Sequence, residues 1–119
     1  MPQPAEENVR PWGRYDVLDE GAAFKVKRIT VAAGMRLSYQ SHERRSERWI
    51  VVSGRARVTL DDVVTDHVTG AVVLVPERTK HRVENPGTEM LVFIEVQCGT
   101  YFGEDDIVRY EDDFGRAGT

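Results

Sequence analysis

An all-β domain, a small sandwich or barrel, is the fold class that this sequence predicts, on three observations. Short runs rich in Val, Ile and Thr alternate with polar residues or run continuously apolar, as strands do. Gly, Pro, Asn and Asp close these runs at a spacing of about eight to twelve residues. No segment carries the periodicity of a helix longer than a turn or two. At 119 residues the chain has the size of one domain and no room for a second core.

Taken in order, residues 1–8 are polar and Pro-containing and are expected to be flexible, the domain to span 9–116, and 117–119 to fray. Phe24 to Val31 begins with clean alternation and stops at Ala32-Ala33-Gly34. Gln40 and His42 lie on a short strand-like stretch. Arg48 to Ser53 stops at Gly54 and resumes as Arg55 to Leu60, which makes Gly54 a turn or bulge with positive φ. Asp61-Asp62 reads as a hairpin tip and Val63 to His67 as the returning strand. Ala71 to Val75 is a more buried strand before Pro76, followed by Lys80 to Glu84, a turn at Asn85-Pro86-Gly87, and the longest apolar strand, Met90 to Gln97.

Composition narrows the function classes. The chain has 16 Lys+Arg and 20 Asp+Glu, a formal net charge of -4, and no long basic block, so a nucleic-acid partner is not expected. Its longest apolar runs, such as Leu91-Val92-Phe93-Ile94, fall far short of a membrane span, and its start lacks a signal peptide's apolar segment. A soluble, cytoplasmic protein is expected, with Cys98, its one cysteine, a small apolar filler.

Two half-motifs carry the chemistry: Gly34-x5-Gln40-x-His42-x4-Glu47-x6-Gly54 and, fifteen residues later, Gly70-x5-Pro76-x4-His81-x3-Asn85. Residues two apart in a strand share a face, so Gln40 projects with His42, and Glu47 with Trp49 on the next strand. One hairpin would then present three ligands, and His81 would complete a mixed nitrogen and oxygen shell. Such a shell suits one divalent ion of Mn, Fe, Co, Ni or Zn, with Gln40 a weaker amide-oxygen donor. His67 reads as an ordinary strand histidine. Trp49 is expected in the core beside the site, and Trp12 is expected to pin the N-terminal arm across the barrel.

Both half-motifs resemble those of the cupin superfamily, which implies a double-stranded β-helix, a jelly-roll β-barrel with metal inside. Gln40 stands where a first His is common, and Arg78 where Gly usually follows the motif's Pro. A narrower resemblance runs nearly end to end. Arg10-Pro11-Trp12-Gly13, Phe24 to Ile29, Leu37 to His42, Trp49 to Gly54, Thr79 to Pro86 and Gly103 to Asp112 are similar to the C-terminal cupin domain of type II phosphomannose isomerases. Gln40 is typical of that family. Glu43, Arg44 and Arg48 replace histidines that often flank its metal ligands, and the guanylyltransferase domain that precedes it in bifunctional members is absent, so GDP-mannose synthesis is not expected.

This resemblance implies interconversion of mannose 6-phosphate and fructose 6-phosphate, in the supply of activated mannose for polysaccharide. The reaction needs a divalent ion to polarise the carbonyl, a group to shuttle the proton between C2 and C1, and cations to anchor the phosphate. Arg109-x-Glu111-x4-Arg116 matches the family's C-terminal motif: Glu111 is then the base, Arg109 binds anionic oxygen on the same face of an extended segment, and Arg116 clamps the phosphate. Lys80 and Arg45 are further candidates for phosphate binding or proton transfer, although neighbours of ligands in a strand point the other way. A homodimer is the family-level expectation. A non-catalytic metal- or sugar-binding cupin and an Fe-dependent cupin dioxygenase are the alternative readings.

Overall fold

The structure is a computed structural model and describes residues 8–103 and 105–115. Most of the 1–8 and 117–119 segments, and Arg116, therefore lie outside the described residues.

Two antiparallel sheets face one another. One has the order β1 (Val9–Arg10), β2 (Gly13–Glu20), β3 (Phe24–Val31), β10 (Leu91–Gly99), β5 (Arg45–Ser53), β8 (Val72–Val75). The other has the order β11 (Val108–Glu111), β4 (Tyr39–Ser41), β9 (His81–Glu84), β6 (Arg55–Leu60), β7 (Val63–Val68). Neighbours in each sheet are largely distant in sequence, and the chain crosses between sheets repeatedly, which gives the jelly-roll architecture that the motifs imply.

Side-chain alternation decides what faces the interior. On β3, Val31, Ile29 and Lys27 point inward; on β10, Leu91, Phe93, Glu95 and Gln97; on β5, Val51, Trp49, Glu47 and Arg45. Register places these positions side by side: Phe93 pairs with Ile29 and Val51, Glu95 with Lys27 and Trp49, and Gln97 with Glu47. The interior thus changes from apolar to polar along three adjacent strands, at Lys27 on β3 and Glu95 on β10 and, one inward position further on, at Glu47 on β5. The apolar end is the core, where Val31, Val51, Leu91 and Phe93 meet Ala56, Val58 and Val83 of the facing sheet. Fully burying each of the larger side chains contributes about 2 kcal/mol.

Turn chemistry closes the strands as expected at two places. Gly54 has φ 91°, and a Cβ there would meet the Met90 carbonyl oxygen at 2.7 Å, so the β5–β6 junction admits no side chain. Asp61 and Asp62 have φ of 44° and 71°, two left-handed residues as the tight β6–β7 hairpin requires. Arg78 adopts φ 63°, so the arginine keeps the left-handed turn that glycine would supply, and its N–H donates to the His42 carbonyl at 2.7 Å.

Three strands lie outside the runs identified from sequence. β2 carries Arg, Asp and Glu and forms because β3 offers it an edge to pair with, and the two-residue β1 pairs in turn with β2. β11 is held to β4 by pairing from Val108 to Glu111. The one-hairpin arrangement of Gln40, His42 and Glu47 is corrected: β4 and β5 belong to different sheets, so the candidate ligands converge from opposite walls of the barrel.

Candidate metal centre

His42, Glu47 and His81 are all buried, and one potential ligand atom from each lies within 4.8 Å of the others. His81 leaves β9 pointing inward. Its Nδ1 is 2.9 Å from the Thr79 carbonyl oxygen, to which it donates, so Nε2 turns its lone pair to the interior, 3.8 Å from Glu47 Oε1. His42, just past β4, stacks on the His81 ring with centroids 5.1 Å apart, and its Nδ1 is 3.6 Å from Glu47 Oε2. These separations are too long for hydrogen bonds but close to the ~3.4 Å between two donors on one tetrahedral ion.

Both nitrogens of His42 are buried without a hydrogen-bond partner. Burial, reinforced by the Arg45 cation and by His81, pushes the His42 imidazole down to about 3, and burial pushes His81 down to about 4. Both rings are neutral at physiological pH, which is the form that ligates a metal. The donor set of two imidazoles and a carboxylate fits a divalent ion of the Mn-to-Zn group.

Glu47 is held from two sides. Arg45, two residues away and on the same face of β5, donates from Nε to Oε2 at 2.9 Å, and Trp49 Nε1 donates to Oε1 at 3.1 Å. The same indole N–H lies 3.1 Å from Glu95 Oε1, and Gln97 Nε2 donates to Glu95 Oε2 at 2.8 Å. Burial, together with the neighbouring Glu47 carboxylate, pushes the Glu95 carboxyl up to about 7.

An open pocket with a cavity volume of about 80 Å³ leads to this cluster. Gln40, Glu47, His81, Arg45 and Arg109 line it. Gln40 sits between His81 and Arg109 in register across β9, β4 and β11, so one row of the sheet presents all three to the pocket.

Lys80 and Glu111 are not brought to the pocket. Lys80 is adjacent to His81 and has the opposite strand parity; its ammonium lies over the Tyr110 ring, 4.9 Å from the centroid. Glu111 is corrected for a different reason: the β11–β4 register shifts between Arg109 and Glu111, which breaks the two-residue rule. Arg109 faces the pocket, while the Glu111 side chain is 65% exposed, 3.9 Å from Arg82.

Glu95, Lys27, Arg10, Tyr15 and Arg82 also line the pocket and were not singled out from sequence. A signal existed for two of them. Lys27 continues the inward series of Val31 and Ile29, and Glu95 that of Leu91 and Phe93, so each is a charge in core register.

Residues 3–112 match the family described as "Mannose-6-phosphate isomerase C-terminal". The chain belongs to this family. Over 107 residues it is 53% identical to the xanthan biosynthesis protein XanB of Xanthomonas campestris, covering 90% of this chain and 23% of that protein. Over 110 residues it is 52% identical to the alginate biosynthesis protein AlgA of Pseudomonas aeruginosa, covering 92% and 23%. It spans about a quarter of the length of these relatives. Among solved structures, a Klebsiella pneumoniae protein with a double-stranded β-helix domain superposes with TM-score 0.73 at 22% identity, over 87% of this chain and 91% of that one. A cupin 2 conserved barrel protein from Salinispora arenicola gives TM-score 0.66 at 26% identity, over 82% and 87%. The fold is the cupin double-stranded β-helix. In this member of the mannose-6-phosphate isomerase C-terminal family, the barrel interior combines a metal-competent triad, a buried carboxyl of raised proton affinity and a group of cations.

Proposed function

We propose that this domain is a divalent-metal-dependent aldose–ketose isomerase that interconverts mannose 6-phosphate and fructose 6-phosphate. The observation that carries the reading is the convergence of His42, Glu47 and His81 beside Glu95 at the base of a cation-lined pocket. The relatives named for xanthan and alginate biosynthesis support a place in polysaccharide formation.

In this reading His42, Glu47 and His81 hold the ion and Gln40 offers an amide oxygen beside them. A bound divalent ion supplies Lewis acidity, polarising the sugar carbonyl and stabilising the enediolate charge. The Glu95 carboxylate takes the proton from C2 of the aldose and returns it to C1, while the hydroxyl proton moves from O2 to O1. A carboxyl whose proton affinity lies near neutrality is suited to both halves of that transfer. Glu95 replaces Glu111 as the base because it lines the pocket and Glu111 does not. Arg45 fixes the Glu47 carboxylate, Trp49 orients Glu47 and Glu95 together, and Arg109 faces the substrate oxygens.

The test is conversion of mannose 6-phosphate to fructose 6-phosphate by metal-loaded protein, compared with Glu95→Gln and with His42→Ala. Glu95→Gln is expected to retain metal and lose turnover by a factor of about 100 or more, and His42→Ala to lose both. Unchanged turnover in Glu95→Gln removes Glu95 from the chemistry. No turnover by the metal-loaded parent rejects the isomerase.

A further inference from the structure

Five cationic side chains, Arg10, Lys27, Arg45, Arg82 and Arg109, line the pocket against two carboxylates, Glu47 and Glu95. The pocket is therefore strongly positive within a chain whose formal net charge is -4. The cations divide by position. Arg45 is turned onto Glu47, and Arg82 is tied to the backbone, donating to the Leu37 carbonyl at 3.0 Å and the Glu111 carbonyl at 3.2 Å.

Arg10 and Lys27 share a third group. The Arg10 guanidinium lies 4.9 Å and the Lys27 ammonium 4.5 Å from the centroid of one ring, that of Tyr15, and Arg10 Nη2 donates to the Tyr15 hydroxyl at 3.2 Å. They come from different strands, β1 and β3, with Tyr15 on β2 between them in the sheet. Trp12 is buried, and its carbonyl accepts from the Ala32 N–H at 2.9 Å, so the arm that carries Arg10 is fastened across the barrel. Both cations reach one ring from different strands and both line the pocket, so their donors converge on an anion placed there. A planar guanidinium and a compact ammonium together match a phosphate's several acceptor oxygens.

We propose that Arg10 and Lys27, gathered on Tyr15, form the subsite that binds the phosphate monoester of the substrate, separate from the metal triad. The proposal rests on the sugar-phosphate reading of the pocket. It gives the N-terminal arm a direct part in binding and places the substrate's anion against the sheet that carries Glu95.

The test is calorimetric titration of the metal-loaded full chain with mannose 6-phosphate, inorganic phosphate and unphosphorylated mannose, for the parent, Arg10→Gln, Arg10→Lys and Lys27→Met. Loss of one charge-assisted contact is expected to weaken mannose 6-phosphate and phosphate by roughly tenfold or more while leaving mannose unchanged, with Arg10→Lys intermediate. In turnover the same variants raise KM more than they lower kcat. Should Lys27→Met fail to fold, Arg10→Gln, at the end of the short β1 strand, decides alone. Parent-like affinity for mannose 6-phosphate in the variants overturns the subsite and leaves the isomerase reading intact. Phosphate binding that depends on Arg10 and Lys27 without isomerisation keeps the subsite and removes the isomerase. A parent that binds no phosphorylated ligand overturns both.

Discussion

The Arg45 Nε donates to Glu47 Oε2 across 2.9 Å, and both side chains are buried inside the barrel. The pair follows from strand parity, because residues two apart on β5 face the same way. It gives the Glu47 carboxylate a fixed orientation before any ion arrives.

Removing Arg45 therefore leaves a buried charge without its main neutralising partner. Arg45→Met is expected to destabilise the metal-free protein by about 3 kcal/mol, and the double variant Arg45→Met/Glu47→Gln to recover much of that loss. Urea denaturation of the three proteins checks this; a single variant as stable as the parent would show that the pair contributes little.

Metal binding should appear as stability. An ion that binds only the folded protein adds about 2.7 kcal/mol at a free concentration 100 times its dissociation constant. Zn, Mn or Co added to chelator-treated protein is expected to raise Tm, and His42→Ala and His81→Ala to abolish the rise. The measurement is thermal unfolding against metal concentration, with bound metal counted by elemental analysis.

The pH dependence of the metal-free protein has a definite sign. His42 and His81 are depressed to about 3 and about 4 in the folded state, so on acidification the unfolded chain takes up their protons first, near pH 6.5. Their contribution is present above pH 6.5 and is lost as pH falls toward the folded values. Glu95, raised to about 7, acts in the opposite sense: its contribution is present below its unfolded value near 4.5 and is lost as pH rises through 7. Between pH 5 and 6 two histidine protons oppose one carboxyl proton. Stability is expected to fall with acidification by about 1.4 kcal/mol per pH unit, and about twice as steeply in Glu95→Gln. Urea midpoints across this range would contradict the assignment if the variant's slope were no steeper.

Arg78 holds φ 63° where glycine has no Cβ to strain. Arg78→Gly is expected to raise stability by about 1 kcal/mol without altering metal content, because the backbone N–H that donates to the His42 carbonyl is retained. A loss of stability on this substitution would show that the arginine side chain offsets its own backbone strain.

These relationships were unevenly legible in the sequence. Among strands with a buried apolar face, β3 declares itself by alternation and β5 and β10 by continuous apolar runs, and Asp61-Asp62 and Gly54 declare their turns. β2 does not, since Gly13–Glu20 carries Arg, Asp and Glu and becomes a strand only because β3 pairs with it. The half-motifs supplied His42, Glu47 and His81, yet assigned Gln40, His42 and Glu47 to one hairpin, because sequence proximity conceals a crossing between sheets. The Glu111 expectation failed at a bulge, which no periodicity shows. Glu95 and Lys27 required knowing that β10 and β3 are neighbours, so that two isolated charges in core register become one wall of a site.

The most direct measurement of the central claim is incubation of metal-loaded protein with mannose 6-phosphate in deuterated water, following fructose 6-phosphate and deuterium at the exchanging carbon. The account predicts product and incorporated deuterium, both abolished by chelation and restored by added divalent metal. One bound divalent ion per chain with neither product nor exchange would contradict it.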